Sequence, residues 1–259
     1  MSLAGFDLTG LGIGVTGGGG HLGSAVARGL ADAGATVVVA GRTAETLERT
    51  VAGGTGRGRL VAEVADMARA EDVERVLDHI VREAGGVHGW VHCAYDGTRE
   101  RLSELTRDGT TAALSSALTD LMLATDTVAK RLSSGGSIVH IASMYGLVSP
   151  RPEVYRDHPQ FHNPPAYGAA KAGVIQFTRY AACHLATRNI RVNCITPGPF
   201  PSGEPAADPG FVAALERQIP LGRVGRPEEL VGAAIFLLGS ASSYVTGHNL
   251  VVDGGWTAW

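Results

Sequence analysis

The sequence predicts an α/β domain built on a doubly wound parallel sheet of about seven strands, with helices on both faces. Two observations lead to this fold class: short apolar runs rich in β-branched residues recur along the chain, and helical stretches separate them. Continuous apolar runs are typical of strands covered on both faces. Regular alternation of strands and helices favours right-handed crossovers in one sheet, and 259 residues fit a single unit of this kind.

Each predicted element follows from this periodicity. The strands are predicted at Gly12–Thr16, Thr36–Ala40, Arg59–Val64, Val87–Cys93, Ser137–Ala142, Ile190–Ile195 and Asn249–Val252. The helices are predicted at Leu22–Ala33, Ala44–Val51, Glu71–Ala84, Thr106–Leu132, Tyr167–Thr187 and Pro227–Gly239. The last of these carries proline in its first turn and two acidic residues beside it, where the helix dipole favours them.

One segment interrupts the alternation. Residues Ser149–Pro165 contain five prolines, which excludes a regular helix or a central strand. Long loops inside compact domains are usually functional. We therefore expect one catalytic domain spanning residues 1–259, with a proline-rich active-site loop insertion at 149–165.

Composition excludes several classes of protein. A net charge of −3 argues against a nucleic-acid binder that neutralises phosphates. The longest apolar stretch, near Leu230–Gly239, is about half the length of a membrane span. The first 20 residues contain no lysine or arginine, unlike a secretory signal, and three sparse cysteines suggest reduced thiols. We expect a cytoplasmic protein whose partner is a small molecule, with no nucleic acid and no membrane.

A glycine-rich turn follows the first predicted strand and opens the first helix: Val15-Thr16-Gly17-Gly18-Gly19-Gly20-His21-Leu22-Gly23. Glycines there let backbone N–H groups approach a pyrophosphate at the helix N-terminus. The alternative, a merely flexible turn, is weakened by the strand before and the helix after. Candidate contacts are Gly17, Gly19, Gly20, His21 and Leu22.

The end of the second strand indicates which dinucleotide is preferred. An acidic residue there would accept hydrogen bonds from the adenosine ribose and favour NAD(H). This chain instead has Gly41-Arg42-Thr43, and a guanidinium suits a 2′-phosphate. NADP(H) is therefore favoured over NAD(H), the alternative being that Arg42 is an ordinary surface arginine.

A tyrosine and a lysine lie four residues apart, at Tyr167 and Lys171, on one face of a predicted helix. A neighbouring cation favours the phenolate and would lower a tyrosine pKa that is otherwise near 10. Ser143 follows a predicted strand, at the edge where open α/β sheets bind ligands. Taken singly, the pair could be incidental and Ser143 could be a helix cap or turn residue.

Together these residues resemble the short-chain dehydrogenase/reductase family along nearly the whole chain. The resemblance is carried by Thr16–Gly23, Ser143, Tyr167 and Lys171, Arg191-Val192-Asn193, Pro197-Gly198, Arg226–Glu229, Thr246–His248 and Val251–Gly255. It implies a Rossmann fold that binds a nicotinamide dinucleotide. It also implies that Tyr167 is the general acid/base, that Lys171 lowers its pKa and holds the nicotinamide ribose, and that Ser143 positions the substrate oxygen.

The resemblance extends to further cofactor contacts. It places Pro197, Gly198 and Phe200 over the nicotinamide, Glu63 and Val64 at the adenine edge, and Ala94 and Tyr95 in the turn after the fourth strand. It also implies a homotetramer (or dimer) formed through the fourth helix and the tyrosine-bearing helix. The stretch from Ser143 to Pro197 looks most like sugar- and gluconate-type members.

The chain also departs from the family pattern. His21 stands where glycine is usual, and an Asn-Asn-Ala-Gly turn is replaced by His92-Cys93-Ala94-Tyr95. The fourth helix lacks the asparagine that usually anchors a proton-relay water and has Ser115-Ser116-Ala117 there. Ser116 could hold that water instead, or Ser115 and Ser116 could be ordinary surface or interface serines.

A metal site is not expected. His88 and His92 lie on one predicted strand, where a spacing of four residues does not bring both rings to one ion.

These residues indicate an NADP(H)-dependent oxidoreductase, a ketone reductase or secondary alcohol dehydrogenase acting on a small polar substrate. Candidate substrate contacts are Met144 and Tyr145 beside Ser143, and Tyr155 and His162 in the proline-rich loop. One alternative is a cofactor-bound epimerase, lyase or dehydratase without net redox change. Another is a catalytically impaired dinucleotide-binding protein.

Overall fold

The computed structural model describes residues 4–97 and 100–259. Its strands form one parallel sheet in the order β3-β2-β1-β4-β5-β6-β7. The strands are β1 (Gly12–Thr16), β2 (Thr36–Gly41), β3 (Arg59–Val64), β4 (Val87–His92), β5 (Leu132–Ile141), β6 (Arg191–Pro197) and β7 (Asn249–Val252). The predicted doubly wound Rossmann sheet is therefore confirmed.

Helices connect the strands. They are α1 (His21–Asp32), α2 (Ala44–Ala52), α3 (Ala70–Ala84), α4 (Arg107–Leu114), α5 (Asp120–Arg131), α6 (Pro152–Tyr155), α7 (Pro165–Leu185), α8 (Glu204–Ala207), α9 (Pro209–Glu216) and α10 (Val231–Leu238). Within the described residues, none of them is both long and apolar enough to cross a bilayer.

Several boundaries differ from the prediction. A π-helical turn at Ser115–Thr119 interrupts the predicted fourth helix and separates α4 from α5. Such wide turns are frequent at functional sites. The proline-rich segment contains a short helix, α6, and a 3-10 turn at Pro159–Phe161, and its last residue, Pro165, begins α7. Proline is tolerated there because the first N–H of a helix has no partner inside it.

Apolar side chains alternate between the two faces of the sheet. Val38, Trp90 and Ile138 are completely buried on the face covered by α3, α5 and α7. Val39 and Val139 are buried on the other face, which α1 and α10 cover. Each such side chain contributes about 1.5–3 kcal/mol relative to its exposed state.

A smaller apolar cluster lies beyond the carboxyl edge of the sheet. It joins the proline-rich loop, α9 and the C-terminal segment through Val154, Phe211 and Trp256. At the same edge the chain order reverses between β1 and β4, and open α/β sheets bind ligands at such a switch point.

Candidate active site

The glycine-rich turn connects β1 to the N-terminus of α1. Gly17 has φ of 64°, and a Cβ there would lie 2.9 Å from Ala94, so a side chain would fill the turn. Gly20 is the N-cap of α1 and supplies no side-chain cap. The first amides of a helix have no partner within it and can receive an anion. This backbone fits a dinucleotide pyrophosphate.

Most of the predicted nicotinamide-side contacts meet in one cavity of about 450 Å³. Residues from the glycine turn, β5, α7 and the segment after β6 line it. They include Gly17, Gly20, His21, Leu22, Tyr95, Ser143, Tyr167, Lys171, Pro197, Gly198 and Phe200.

A second cleft of about 270 Å³ opens beside the glycine turn, and we call it the nucleotide cleft. Gly41, Arg42, Ala94 and Tyr95 are among the predicted residues that line it. Two predicted residues lie next to the cleft at α2: Thr43 is the N-cap of that helix, and Gly19 packs closely against Thr46.

Glu63 and Val64, predicted at the adenine edge, are not among the residues that line the nucleotide cleft, and their contact with adenine stays a prediction. Both belong to β3, and Glu63 faces α3, where its carboxylate accepts a 2.9 Å hydrogen bond from Arg75 Nε. Asp66 and Met67, which follow the strand, line the nucleotide cleft instead. The missed signal is the predicted end of β3 at Val64, because ligands bind beyond the carboxyl ends of such strands.

The three predicted catalytic residues come together from two elements. Ser143 follows β5, and its side chain forms a hydrogen bond with Tyr167 on α7. Ser143 Oγ also accepts a 3.2 Å hydrogen bond from Tyr145 N, so it is a turn former as well. Lys171 Nζ donates to the Ile141 carbonyl at 2.8 Å.

Burial governs the protonation of this group. It lowers the pKa of Lys171, which is only 5% exposed, to about 8. Burial also raises the pKa of Tyr167, and the hydrogen bond with Ser143 opposes that shift only in part. Burial therefore determines the direction of the Tyr167 pKa shift, and the expected lowering by Lys171 stays a prediction.

Tyr95 separates the nucleotide cleft from the catalytic residues. Its ring packs edge-on against Tyr167, with 5.0 Å between centroids, and Lys171 Nζ lies 5.4 Å from its centroid. The turn that carries it is held by Thr16 Oγ1, which accepts hydrogen bonds from the amides of Cys93 and Ala94. A bulky ring thus stands in a turn where the family pattern has glycine.

Beyond Ser143 and Tyr167 lies a cavity of about 520 Å³, which we call the substrate cavity. Three predicted substrate contacts, Met144, Tyr145 and His162, line it. Tyr155 does not, but its hydroxyl forms a short hydrogen bond with the Tyr145 hydroxyl. Asn163, which the sequence analysis did not single out, lines the cavity as well.

Ser116, the candidate for holding the relay water, lies beside the turn after β4, and its relay role stays a prediction. Its hydroxyl accepts a 2.8 Å hydrogen bond from the Asp96 amide and lines the nucleotide cleft. Ser115 starts the π-helical turn. Ser116 therefore supports the turn after β4, and the ammonium of Lys171 is instead bound by a backbone carbonyl.

The two histidines of β4 have separate environments. His88 Nδ1 accepts a hydrogen bond from the Gly12 amide. His92 is 2% exposed at the nucleotide cleft, and burial lowers its pKa to about 3. Across residues 4–97 and 100–259, no group of three or more His, Cys, Asp or Glu side chains is arranged to hold a metal ion.

Comparison with known proteins identifies the family. A family model described as "Enoyl-(Acyl carrier protein) reductase" matches residues 19–257. The 2-dehydro-3-deoxy-D-gluconate 5-dehydrogenase of Escherichia coli K12 is 33% identical, with 100% of both chains covered.

Solved structures agree with these matches. A short-chain type dehydrogenase/reductase from Mycobacterium marinum superimposes with a TM-score of 0.85 at 31% identity, over 100% of both chains. The Pseudomonas aeruginosa RhlG/NADP active-site complex gives 0.83 at 28% identity, covering 98% of this chain and 99% of that one. The chain thus belongs to the short-chain dehydrogenase/reductase family and is an oxidoreductase that acts on CH–OH and C=O groups.

Proposed function

We propose that this enzyme is an NADP(H)-preferring ketone reductase or secondary alcohol dehydrogenase for a small, hydroxylated substrate. The observation that carries the proposal is the position of Ser143 and Tyr167. Both residues line the cavity that contains Lys171 and also the substrate cavity. A substrate oxygen held there would meet a hydroxyl and a phenol next to the nicotinamide side.

Each residue has a distinct role in this proposal. A bound nicotinamide supplies or accepts the hydride. In reduction, Tyr167 donates its phenolic proton to the carbonyl oxygen, and Ser143 orients that oxygen by a hydrogen bond. Lys171, charged below pH 8, stabilises the phenolate that remains.

Arg42 supports the preference for NADP(H). Its guanidinium lies at the nucleotide cleft, and its neighbours at the end of β2, Gly41 and Thr43, carry no carboxylate that would accept from a ribose diol. A guanidinium binds a phosphate with charge-assisted hydrogen bonds. The solved relative in complex with NADP is consistent with this choice.

The lining of the substrate cavity supports a polar substrate of moderate size. Tyr95, Tyr145 and Phe161 provide aromatic walls, and His162 and Asn163 provide polar groups. Such a mixture suits a carbon skeleton with several hydroxyl groups. The E. coli relative is named for a sugar acid, which agrees with a hydroxylated substrate. The homotetramer (or dimer), the cytoplasmic location and the single catalytic domain stay predictions.

The decisive experiment is a panel of ketones and secondary alcohols, assayed with both dinucleotides by absorbance of the reduced nicotinamide. On the best substrate, Tyr167→Phe should lower kcat at least about a hundredfold while cofactor affinity changes little, because the ring remains but the proton donor is lost.

Tyr180→Phe is a matched control. It lies on the same helix, is 66% exposed, and stacks on His184 rather than at the site. It should keep full activity. If Tyr167→Phe keeps more than about a hundredth of the wild-type turnover, Tyr167 is not the acid/base. Product formation without net absorbance change would favour the epimerase, lyase or dehydratase alternative.

A further inference from the structure

An ion pair crosses the mouth of the nucleotide cleft. Arg42 Nη1 lies 2.8 Å from Asp96 Oδ2, and both side chains are 62% exposed. Arg42 follows β2 and Asp96 follows β4, whereas β1 lies between those strands. The pair therefore spans about 10 Å of sheet edge, directly beyond the glycine turn that follows β1.

The backbone that carries Asp96 is anchored in this position. Its amide donates to Ser116 Oγ, and the preceding amides of Cys93 and Ala94 are held by Thr16. The arginine, in contrast, reaches its partner with a long and flexible side chain. A ligand that needs the guanidinium can therefore withdraw Arg42, but the carboxylate stays at the cleft.

The cleft is otherwise acidic. Asp66 and Asp120 line it together with Asp96, and Arg42 carries the positive charge among its described lining residues. Burial raises the pKa of Asp120, and the charge of Asp66 adds to that shift. Among the described residues that line the cleft, Arg42 is thus the one that offers a phosphate a counter-charge.

We propose that Asp96 is a coenzyme-selectivity residue, which competes with the 2′-phosphate for Arg42 and so narrows the preference for NADP(H) over NAD(H). A 2′-phosphate must displace the carboxylate from the guanidinium and leave it unpaired beside a new negative charge. A ribose 2′-hydroxyl makes no such demand, so the pair stays closed. This inference rests on the proposed assignment of Arg42 to the 2′-phosphate.

The test measures dissociation constants of NADPH and NADH by fluorescence titration of the purified enzyme. Asp96→Asn keeps the shape of the side chain and removes its charge. It should tighten NADPH binding about three- to tenfold, as expected for losing one exposed competing charge, and change NADH binding less than twofold. The gain should shrink at high ionic strength, because exposed charges are screened.

Asp126→Asn is the matched control. Asp126 pairs with Lys130 at 2.7 Å, and the side chains are 68% and 67% exposed, but neither residue lines the nucleotide cleft. Asp126→Asn thus removes one negative charge from a similarly exposed ion pair. NADPH and NADH affinities should both stay at the wild-type values.

The double variant Arg42→Ala with Asp96→Asn shows whether Asp96 acts through Arg42. In that background the effect of Asp96→Asn on NADPH should disappear. If Asp96→Asn tightens NADPH binding equally in the Arg42→Ala background, or tightens NADH binding in parallel, Asp96 does not compete with the 2′-phosphate for Arg42. An unchanged NADPH/NADH ratio in Asp96→Asn overturns it as well.

Arg42→Ala alone separates the two proposals. It should weaken NADPH binding selectively if the 2′-phosphate assignment is right. If it leaves the ratio unchanged, the NADP(H) preference fails and the role of Asp96 fails with it. If it changes the ratio while Asp96→Asn does not, only the role of Asp96 is overturned.

Discussion

Two groups of ionisable residues lie near the carboxyl edge of the sheet, and they differ in solvent exposure. Arg42 and Asp96 are exposed at the rim of the nucleotide cleft. His92, His140 and Lys171 are buried below it. Exposed pairs are screened by water and salt, and each contributes about 1 kcal/mol or less. Burial shifts the pKa of an ionisable group strongly, so buried groups affect the free energy of unfolding far more than exposed pairs do.

The difference indicates a division of labour. The rim can discriminate between two similar dinucleotides with small energies and without destabilising the fold. In the buried group, the proposed catalytic role of Lys171 requires that it stay close to Tyr167 despite the desolvation of its ammonium. Variants of the buried group should therefore change stability and its pH dependence, whereas rim variants should change selectivity alone.

The largest expected effect is loss of stability in acid. Burial lowers the pKa values of His92 and His140 to about 3. Below pH 6.5 the unfolded chain protonates both rings while the native protein does not, so stability falls as pH decreases from 6.5 towards 3. Between pH 7 and 5 the free energy of unfolding should drop by about 4 kcal/mol. Urea unfolding at both pH values measures it.

His140→Gln provides the comparison for this prediction. The His140 ring is bound by Thr125 and Thr178, and a glutamine amide can replace a donor and an acceptor without titrating. The variant should lose about half of the pH dependence, even if its stability at pH 7 is lower. The same slope in both proteins would show that His140 is not a buried neutral histidine.

The next effect concerns Lys171. Its pKa in the native protein is about 8, below the ordinary value of 10.5, so its charge destabilises the fold at pH 7. Lys171→Met should abolish turnover and yet raise the free energy of unfolding at pH 7. We expect the free energy of unfolding to rise by about 1–3 kcal/mol, because the loss of the hydrogen bond to the Ile141 carbonyl offsets part of the gain.

The pH dependence identifies the cause of that gain. Deprotonation of Lys171 removes the desolvation penalty of its ammonium. The free energy of unfolding of the wild type therefore rises between pH 8 and 10.5, and the advantage of Lys171→Met should shrink by pH 10. Denaturation at pH 7 and pH 10 measures both values. A constant difference would mean that packing, and not the buried charge, accounts for the gain.

The same division explains what could be predicted from the sequence. Periodicity predicted the seven strands, and spacing paired Tyr167 with Lys171, whereas the catalytic roles of these residues and of Ser143 came from the family resemblance. Other quantities exist only in three dimensions and could not be predicted from the sequence. The pKa of Tyr167 depends on burial, which raises it. The partner of Arg42 lies 54 residues away, so no local pattern indicates it.

Glu63 and Ser116 illustrate a second property that the sequence does not indicate, the direction of a side chain. Both were chosen by position in a family pattern, and each lies within a few residues of the site. Glu63 belongs to a strand and faces α3, whereas Asp66, just past that strand, lines the cleft. Ser116 Oγ accepts a hydrogen bond from the turn after β4. In both cases the direction of the side chain follows from the folded structure and not from a local sequence pattern.

The smallest effect is expected at Tyr95, where the rim and the buried group meet. Lys171 Nζ lies 5.4 Å from the centre of the Tyr95 ring, within the range of a cation–π interaction. That interaction stabilises the ammonium, so its loss should lower the pKa of Lys171 further below its ordinary value. A contribution of about 0.5–1 kcal/mol corresponds to less than one pKa unit. In Tyr95→Leu, the pH above which reductive kcat declines should therefore fall by less than one unit.

Tyr95→Phe keeps the aromatic face and loses only the hydroxyl, so its pH profile should match the wild type. A shift of the same size in both variants would assign the effect to the hydroxyl. No shift in either would show that the Ile141 carbonyl and solvent exclusion alone determine the protonation of Lys171.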